Sequence, residues 1–156
     1  MKSRIRVTKI FTFEMAHALE KYDGPCKNIH GHSYRLQVTV AGYPKENIND
    51  PKNGMVIDFG DLKKIVETHI IQKFDHAIVL GKNADTQIIK ALSTEQQKLV
   101  LTDYTPTSEN LLLDFVETLM QALNNGGNRL VSVILSETAS SYVEWKAEDY
   151  LAENEA

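Results

Sequence analysis

From His30 to Val40 the chain alternates strictly, with His30, His32, Tyr34, Leu36, Val38 and Val40 on one parity and Gly31, Ser33, Arg35, Gln37 and Thr39 on the other. A period of two with one apolar parity describes a β-strand with one covered face. Side chains at i and i+2 point the same way, so His30 and His32 enter that face as a pair. The preceding segment repeats the pattern in Ile5, Val7, Phe11, Phe13 and Met15, and His17 shares their parity. Two such strands bring three imidazoles to a rigid sheet.

Three neutral imidazoles suit Zn2+, and three protein ligands leave a fourth tetrahedral position for water or substrate, which is the catalytic pattern. A strand histidine is also often only a hydrogen-bonded core residue. His17 at matching parity and Cys26, four residues before His30, turn the reading toward metal. Cys26 lies in the turn-rich loop from Lys21 to His30. A thiol there is placed to reach a bound substrate, and Lys21, Lys27 and a metal charge favour the thiolate as base or nucleophile. The alternative makes Cys26 a fourth ligand that closes a structural site.

A chain of 156 residues with 42% hydrophobic content can bury one good core, so a single domain is expected over 1–147, followed by an acidic tail over 148–156. The net charge of −4, without a basic run, argues against nucleic-acid binding but permits a small anionic substrate through local charge. The basic residues near Met1 alternate with apolar ones, unlike a signal peptide, and no stretch reaches membrane-spanning length. The single cysteine excludes an intrachain disulfide and fits a reducing compartment, so a cytoplasmic location is expected, with no membrane partner.

Residues from Gly42 to Gly54 read as an exposed connection, followed by an extended lead-in to Phe59. Asp58 or Asp61 caps a helix carrying Leu62, Ile65, Val66, Ile70 and Phe74, which ends at Asp75-His76. His69 reads as part of its apolar stripe. Between Gly81 and Tyr104 an insertion holds a short helix around Ile88, Ile89 and Leu92, then an extended stretch. Pro106-Thr107-Ser108-Glu109 opens a second long helix with a stripe from Leu111 to Leu123, stopped by Asn124-Asn125-Gly126-Gly127. Two strands follow, Arg129 to Glu137 with Val131, Val133, Leu135 and Glu137 on one parity, then Ser140 to Lys146. The order is β-β-α-α-β-β. It implies an α+β fold, a four-stranded antiparallel sheet with two long helices on one face.

Two further features bear on chemistry. Asp75-His76 is an acid beside an imidazole, or simply a helix terminus with a histidine at its negative end. Glu137 puts a carboxylate on a buried parity, where it needs an Arg partner or a ligand. Thr107 and Glu109 suit a helix opening, one as cap and one in the first turn.

Taken in order, Phe13-Glu-Met-Ala-His17, Cys26-x-x-x-His30-Gly31-His32-Ser-Tyr34, Asp58-Phe59, Asp75-His76, Pro106-Thr-Ser-Glu-Asn110 and Ser136-Glu-Thr138 resemble the 6-pyruvoyl- and 6-carboxy-tetrahydropterin synthase superfamily. The three residues between Cys26 and His30 are similar to the 6-carboxy branch of the bacterial queuosine route. The resemblance implies the tunnelling fold, in which sheets of several subunits join into a barrel with active sites at subunit interfaces, and a homo-oligomer, a hexamer of two stacked trimers. It also implies that His17, His30 and His32 hold Zn2+, that Cys26, Asp75 and His76 transfer protons, and that Glu137 anchors the pterin ring in a pocket framed by Thr107 and Glu109. The implied reaction converts 7,8-dihydroneopterin triphosphate to 6-carboxy-5,6,7,8-tetrahydropterin, acetaldehyde and triphosphate. Its rivals are 6-pyruvoyl-tetrahydropterin formation and a non-catalytic zinc or pterin module.

Overall fold

The alternating segments form the two longest strands, β1 (Ile5–His17) and β2 (His30–Gly42), in a computed structural model that describes residues 3–123 and 128–149. They pair antiparallel along their whole length, from Ile5 opposite Gly42 to His17 opposite His30. One parity faces the core: Phe11, Phe13, Met15 and His17 from β1 meet Tyr34, Leu36, Val38 and Val40 from β2, all buried.

A helical segment covers that face in three pieces: α1 (Phe59–Val66), a π-helical turn (Glu67–Ile71) and α2 (Gln72–Phe74). Asp58 is the cap, accepting from the Gly60 and Asp61 amides at 2.6 and 3.3 Å. The buried residues Leu62, Val66, Ile70 and Phe74 recur every four positions, and each step of four overshoots a 3.6-residue turn by about 40°. The wider π turn absorbs that drift and keeps the stripe on the sheet. His69 in this turn is exposed, so its assignment to the apolar stripe is corrected.

β3 (Ala77–Gly81) follows, then α3 (Thr86–Thr94), β4 (Leu99–Thr102), α4 (Ser108–Leu123), β5 (Arg129–Ser136) and β6 (Tyr142–Lys146). The sheet has six strands in the order β4-β3-β1-β2-β5-β6, with β3 parallel to β1 and β4 parallel to β3. The expected four-stranded antiparallel sheet and the order β-β-α-α-β-β are thus both corrected. The antiparallel array of β1, β2, β5 and β6 is present, but the segment read as an insertion supplies α3 and β4, which with β3 just before it form a β-α-β unit that extends the sheet. Ala77 to Gly81 is a continuous short apolar run without alternation, because both its faces are covered. Val79 joins the main core, whereas Leu80 packs with Ala18, Ala84, Ile78, Ile89, Leu92 and Leu99 in a second cluster that includes α3.

α4 packs Leu111, Leu112, Phe115, Val116, Leu119 and Leu123 into the main core, with Phe115 between Phe13 and Phe74. The register of β2 with β5 shifts at Thr39/Val40, where Thr39 faces Ser132 but Val40 faces Leu130. Val131 is the extra residue of this β-bulge, so Leu130 takes the core position expected for Val131. The parity from Val133 through Leu135 to Glu137 is intact, although the strand ends at Ser136 and β6 begins at Tyr142, two residues later than expected. The proposed stop at Asn124 to Gly127 and the tail beyond Asp149 lie outside the described residues. Among the described residues no helix is long and apolar enough to cross a membrane.

Candidate active site

Because β1 and β2 run antiparallel, His17 stands directly opposite His30, with His32 two residues along on the same face. The ring centroids lie 4.6 Å (His17 to His30), 5.3 Å (His17 to His32) and 4.9 Å (His30 to His32) apart. The ligating nitrogens all fall within 4.8 Å of one another. The Nδ1 of His17 contacts the Pro106 carbonyl at 2.8 Å, and the Nδ1 of His30 contacts the Asn28 carbonyl at 2.8 Å. A carbonyl only accepts, so both Nδ1 atoms carry the proton and both Nε2 atoms present lone pairs.

The Nε2 atoms of His17, His30 and His32 are buried and have no hydrogen-bond partner. Three unsatisfied ring nitrogens buried within reach of one another are unfavourable without a bound group, and a metal ion satisfies them. The carbonyl contacts behind the rings are the outer support that metal-ligating histidines ordinarily have. Burial lowers the pKa of His17 below its ordinary 6.5, assisted by His30 and His32 and opposed by the Pro106 contact and by Glu137. A neutral imidazole is the form that ligates.

Glu137 sits beside this triad, its Oε1 3.4 Å from His17 Nε2 and 3.5 Å from His32 Nε2. The same oxygen accepts from the Tyr34 hydroxyl at 3.2 Å and from Ser108 Oγ at 3.1 Å. The Arg partner considered for Glu137 is absent from its contacts among the described residues. The carboxylate is half-buried, 28% exposed, rather than fully enclosed. Burial raises the phenol pKa of Tyr34 far above its usual value, and the neighbouring Glu137 carboxylate adds to that, so Tyr34 stays a neutral donor.

A cavity of about 420 Å³ opens next to these groups, lined among others by His17, Cys26, Thr107, Ser108, Glu109, Glu137 and Tyr142. Cys26 reaches it from a short 3-10 turn (Pro25–Lys27) in the connection from β1 to β2, where its carbonyl accepts from the Leu19 amide at 2.9 Å. It lines the cavity without belonging to the histidine group. Thr107 caps α4, its hydroxyl accepting from the Asn110 amide at 3.3 Å, and Glu109 follows in the first turn.

Asp75 and His76 stand elsewhere. Asp75 Oδ1 accepts from the Glu14 amide at 3.0 Å and lies 3.0 Å from His76 Nδ1, and the His76 amide donates back to the Glu14 carbonyl at 2.6 Å. Burial pushes the Asp75 pKa up, but the Glu14 amide and His76 together outweigh it and the net direction is down. The pair is more than a helix terminus. Lys98 donates to the carbonyls at the helix end, those of Gln72 and Asp75, while His76 turns to its own neighbour at a left-handed φ of 58°. The His76 side chain is 77% exposed and lines a second open concavity with Glu14, Gly31, Ser33 and the triad's own His32.

The structure therefore brings His17, Cys26, Thr107, Glu109 and Glu137 to one pocket, with His30 and His32 joined to it through the triad, and leaves Asp75 and His76 outside it, His76 sharing the second concavity with His32. Sequence reasoning overlooked Tyr34 and Ser108 as partners of Glu137. The signal was present, since Tyr34 shares the parity of His30 and His32 and Ser108 lies between Thr107 and Glu109.

Residues 6–148 match the family profile described as 6-pyruvoyl tetrahydropterin synthase. The chain is 33% identical over 144 residues to the 6-carboxy-5,6,7,8-tetrahydropterin synthase of Haemophilus influenzae, covering 90% of this chain and 98% of that one. It is 28% identical over 141 residues to the protein of that name from Rickettsia felis, covering 90% and 99%. Among solved structures, the 6-pyruvoyl tetrahydropterin synthase of Caenorhabditis elegans superposes with a TM-score of 0.66 at 26% identity, covering 93% of this chain and 96% of that one. An uncharacterized protein from Wolinella succinogenes superposes at 0.72 with 17% identity over 93% and 99% of the two chains, a likeness of fold alone.

Proposed function

The chain belongs to the 6-pyruvoyl tetrahydropterin synthase family, and from that premise we propose that its pocket converts 7,8-dihydroneopterin triphosphate to 6-carboxy-5,6,7,8-tetrahydropterin, releasing acetaldehyde and triphosphate. The observation that carries the reading is a triad of orphaned imidazole nitrogens that reaches, through His17, a pocket lined by Cys26 and Glu137. A relative of nearly equal length bears the name of the same activity.

His17, His30 and His32 would hold Zn2+, which would supply Lewis-acid polarisation of the substrate side-chain oxygens. Glu137 accepts N–H donors from the amino-pyrimidine edge of the ring, a charge-assisted pairing that fixes orientation. Thr107 and Glu109 frame the same pocket. The Cys26 thiolate takes a proton from the substrate side chain, and the His76 imidazole, oriented by Asp75, handles the proton on the other side. The conversion takes up one water and is redox-neutral overall, so this reading needs no redox cofactor.

Cys26 and His76 line different concavities of one chain. In the proposed assembly a second copy brings Asp75 and His76 to the pocket, which places the active site at a subunit interface. The tunnelling fold and a hexamer of stacked trimers supply such an interface. A cytoplasmic enzyme of queuosine biosynthesis is the corresponding physiological setting.

A second reading, elimination of triphosphate with all side-chain carbons retained, is favoured by the likeness to the Caenorhabditis elegans protein. Both enzyme readings predict release of inorganic triphosphate when zinc-loaded protein meets the substrate, and its abolition in Cys26→Ala. Binding of pterin without any triphosphate release contradicts both and leaves a non-catalytic module.

A further inference from the structure

Glu137 accepts its two hydroxyl hydrogen bonds on a single oxygen. Tyr34, fully buried on β2, and Ser108, in the first turn of α4, both donate to Oε1. That is also the oxygen facing His17 and His32. A carboxylate oxygen has two lone-pair sites, and the two hydroxyls fill them. Among the described residues no donor is recorded on Oε2. Two donors from separate elements on one atom remove the freedom of the carboxylate to rotate.

We propose that Tyr34 and Ser108 are positioning residues that lock Glu137 through Oε1 and so present Oε2 to the donors of a bound pterin ring. The proposal rests on the reading of Glu137 as the ring anchor. Tyr34 suits the task because its ring is fixed independently, stacked on Phe13 at 5.3 Å. Ser108 suits it because helix α4 carries it and the Thr107 cap holds the helix start. Neither residue touches the reacting side chain in this account. Their effect is on orientation, and it passes entirely through Glu137.

The test uses 7,8-dihydroneopterin, which carries the ring and side chain without triphosphate, and reads its dissociation constant by fluorescence on zinc-loaded protein. Tyr34→Phe keeps the stacked ring, and Ser108→Ala is an independent second probe that leaves the Thr107 cap in place. Each should weaken binding by about tenfold, the usual loss for one hydrogen bond to a charged group, with zinc content unchanged. Ser108→Thr, which keeps a hydroxyl, should recover most of the affinity. In a Glu137→Gln background the effects of Tyr34→Phe and Ser108→Ala should largely vanish, since both act through the same carboxylate.

If both variants bind as the parent does while Glu137→Gln loses binding, the positioning role is wrong and the anchor stands. Losses that persist undiminished in the Glu137→Gln background likewise overturn the positioning role in favour of a general packing effect. If Glu137→Gln itself binds as tightly as the parent, the anchor reading fails and the proposal with it.

Discussion

His17 gives its Nδ1 proton to the carbonyl of Pro106 at 2.8 Å, a contact that spans 89 positions of sequence and ties the end of β1 to the start of α4. It holds the imidazole with Nε2 turned toward His30 and His32, and it sets the distance between that triad and the helix that carries Ser108. The metal centre and the pocket wall are therefore built on one joint.

Replacing His30 or His32 with Ala should strip most of the bound zinc and leave the fold in place. The main core is built of apolar side chains from the strands and helices, among which Tyr34 borders His17 and His32 edge-on, so stability does not depend on metal as it does in small zinc domains. Elemental analysis after dialysis, with circular dichroism on the same sample, checks both halves. Full zinc occupancy in both variants contradicts the site.

Cys26→Ala should retain zinc and assembly and lose turnover by about 100-fold or more, as expected for removal of a proton-transfer group. Loss of zinc alongside activity would instead make Cys26 a ligand. Thr107→Ala is a poor probe of the pocket by comparison, because loss of the α4 cap alone costs about 1 kcal/mol.

Asp75→Asn should also keep zinc and lose turnover, but mixing it with Cys26→Ala has a distinct consequence. If the pocket takes Asp75 and His76 from a second copy, subunit exchange restores intact sites, on the order of a quarter of them under random assembly. Activity recovered only after co-refolding the two inactive variants supports the shared site. No recovery in verified mixed oligomers contradicts it.

The lowered pKa of His17 fixes a direction for pH dependence without metal. The unfolded chain, with His17 at its ordinary 6.5, binds more protons than the folded one just below that value, so stability rises with pH there. The contribution is fully present above pH 6.5 and is lost as pH falls through the lower folded value. Urea unfolding of chelator-treated protein should show midpoints that decline below pH 6.5, with a shallower decline in His17→Gln. Identical profiles for the two proteins would contradict the buried neutral imidazole.

Much of this was legible in the sequence because strand parity is an unambiguous signal over 13 residues. It placed His17, His30, His32 and the core faces of β1 and β2, except at Ile5, which is exposed at the far end of β1. The β3 strand escaped because Ala77 to Gly81 is covered on both faces and shows no alternation. Val131 was misplaced because a bulge shifts parity through hydrogen-bond register, which composition does not record. The separation of Asp75 and His76 from Cys26 follows from the route of the chain around the sheet, and local spacing carries no information about it.

The most direct measurement incubates zinc-loaded protein with 7,8-dihydroneopterin triphosphate and identifies the products by mass spectrometry together with an acetaldehyde assay. The account predicts 6-carboxy-5,6,7,8-tetrahydropterin and acetaldehyde in equal amounts, with triphosphate released. Accumulation of 6-pyruvoyl-tetrahydropterin without acetaldehyde, or recovery of unchanged substrate, would contradict it.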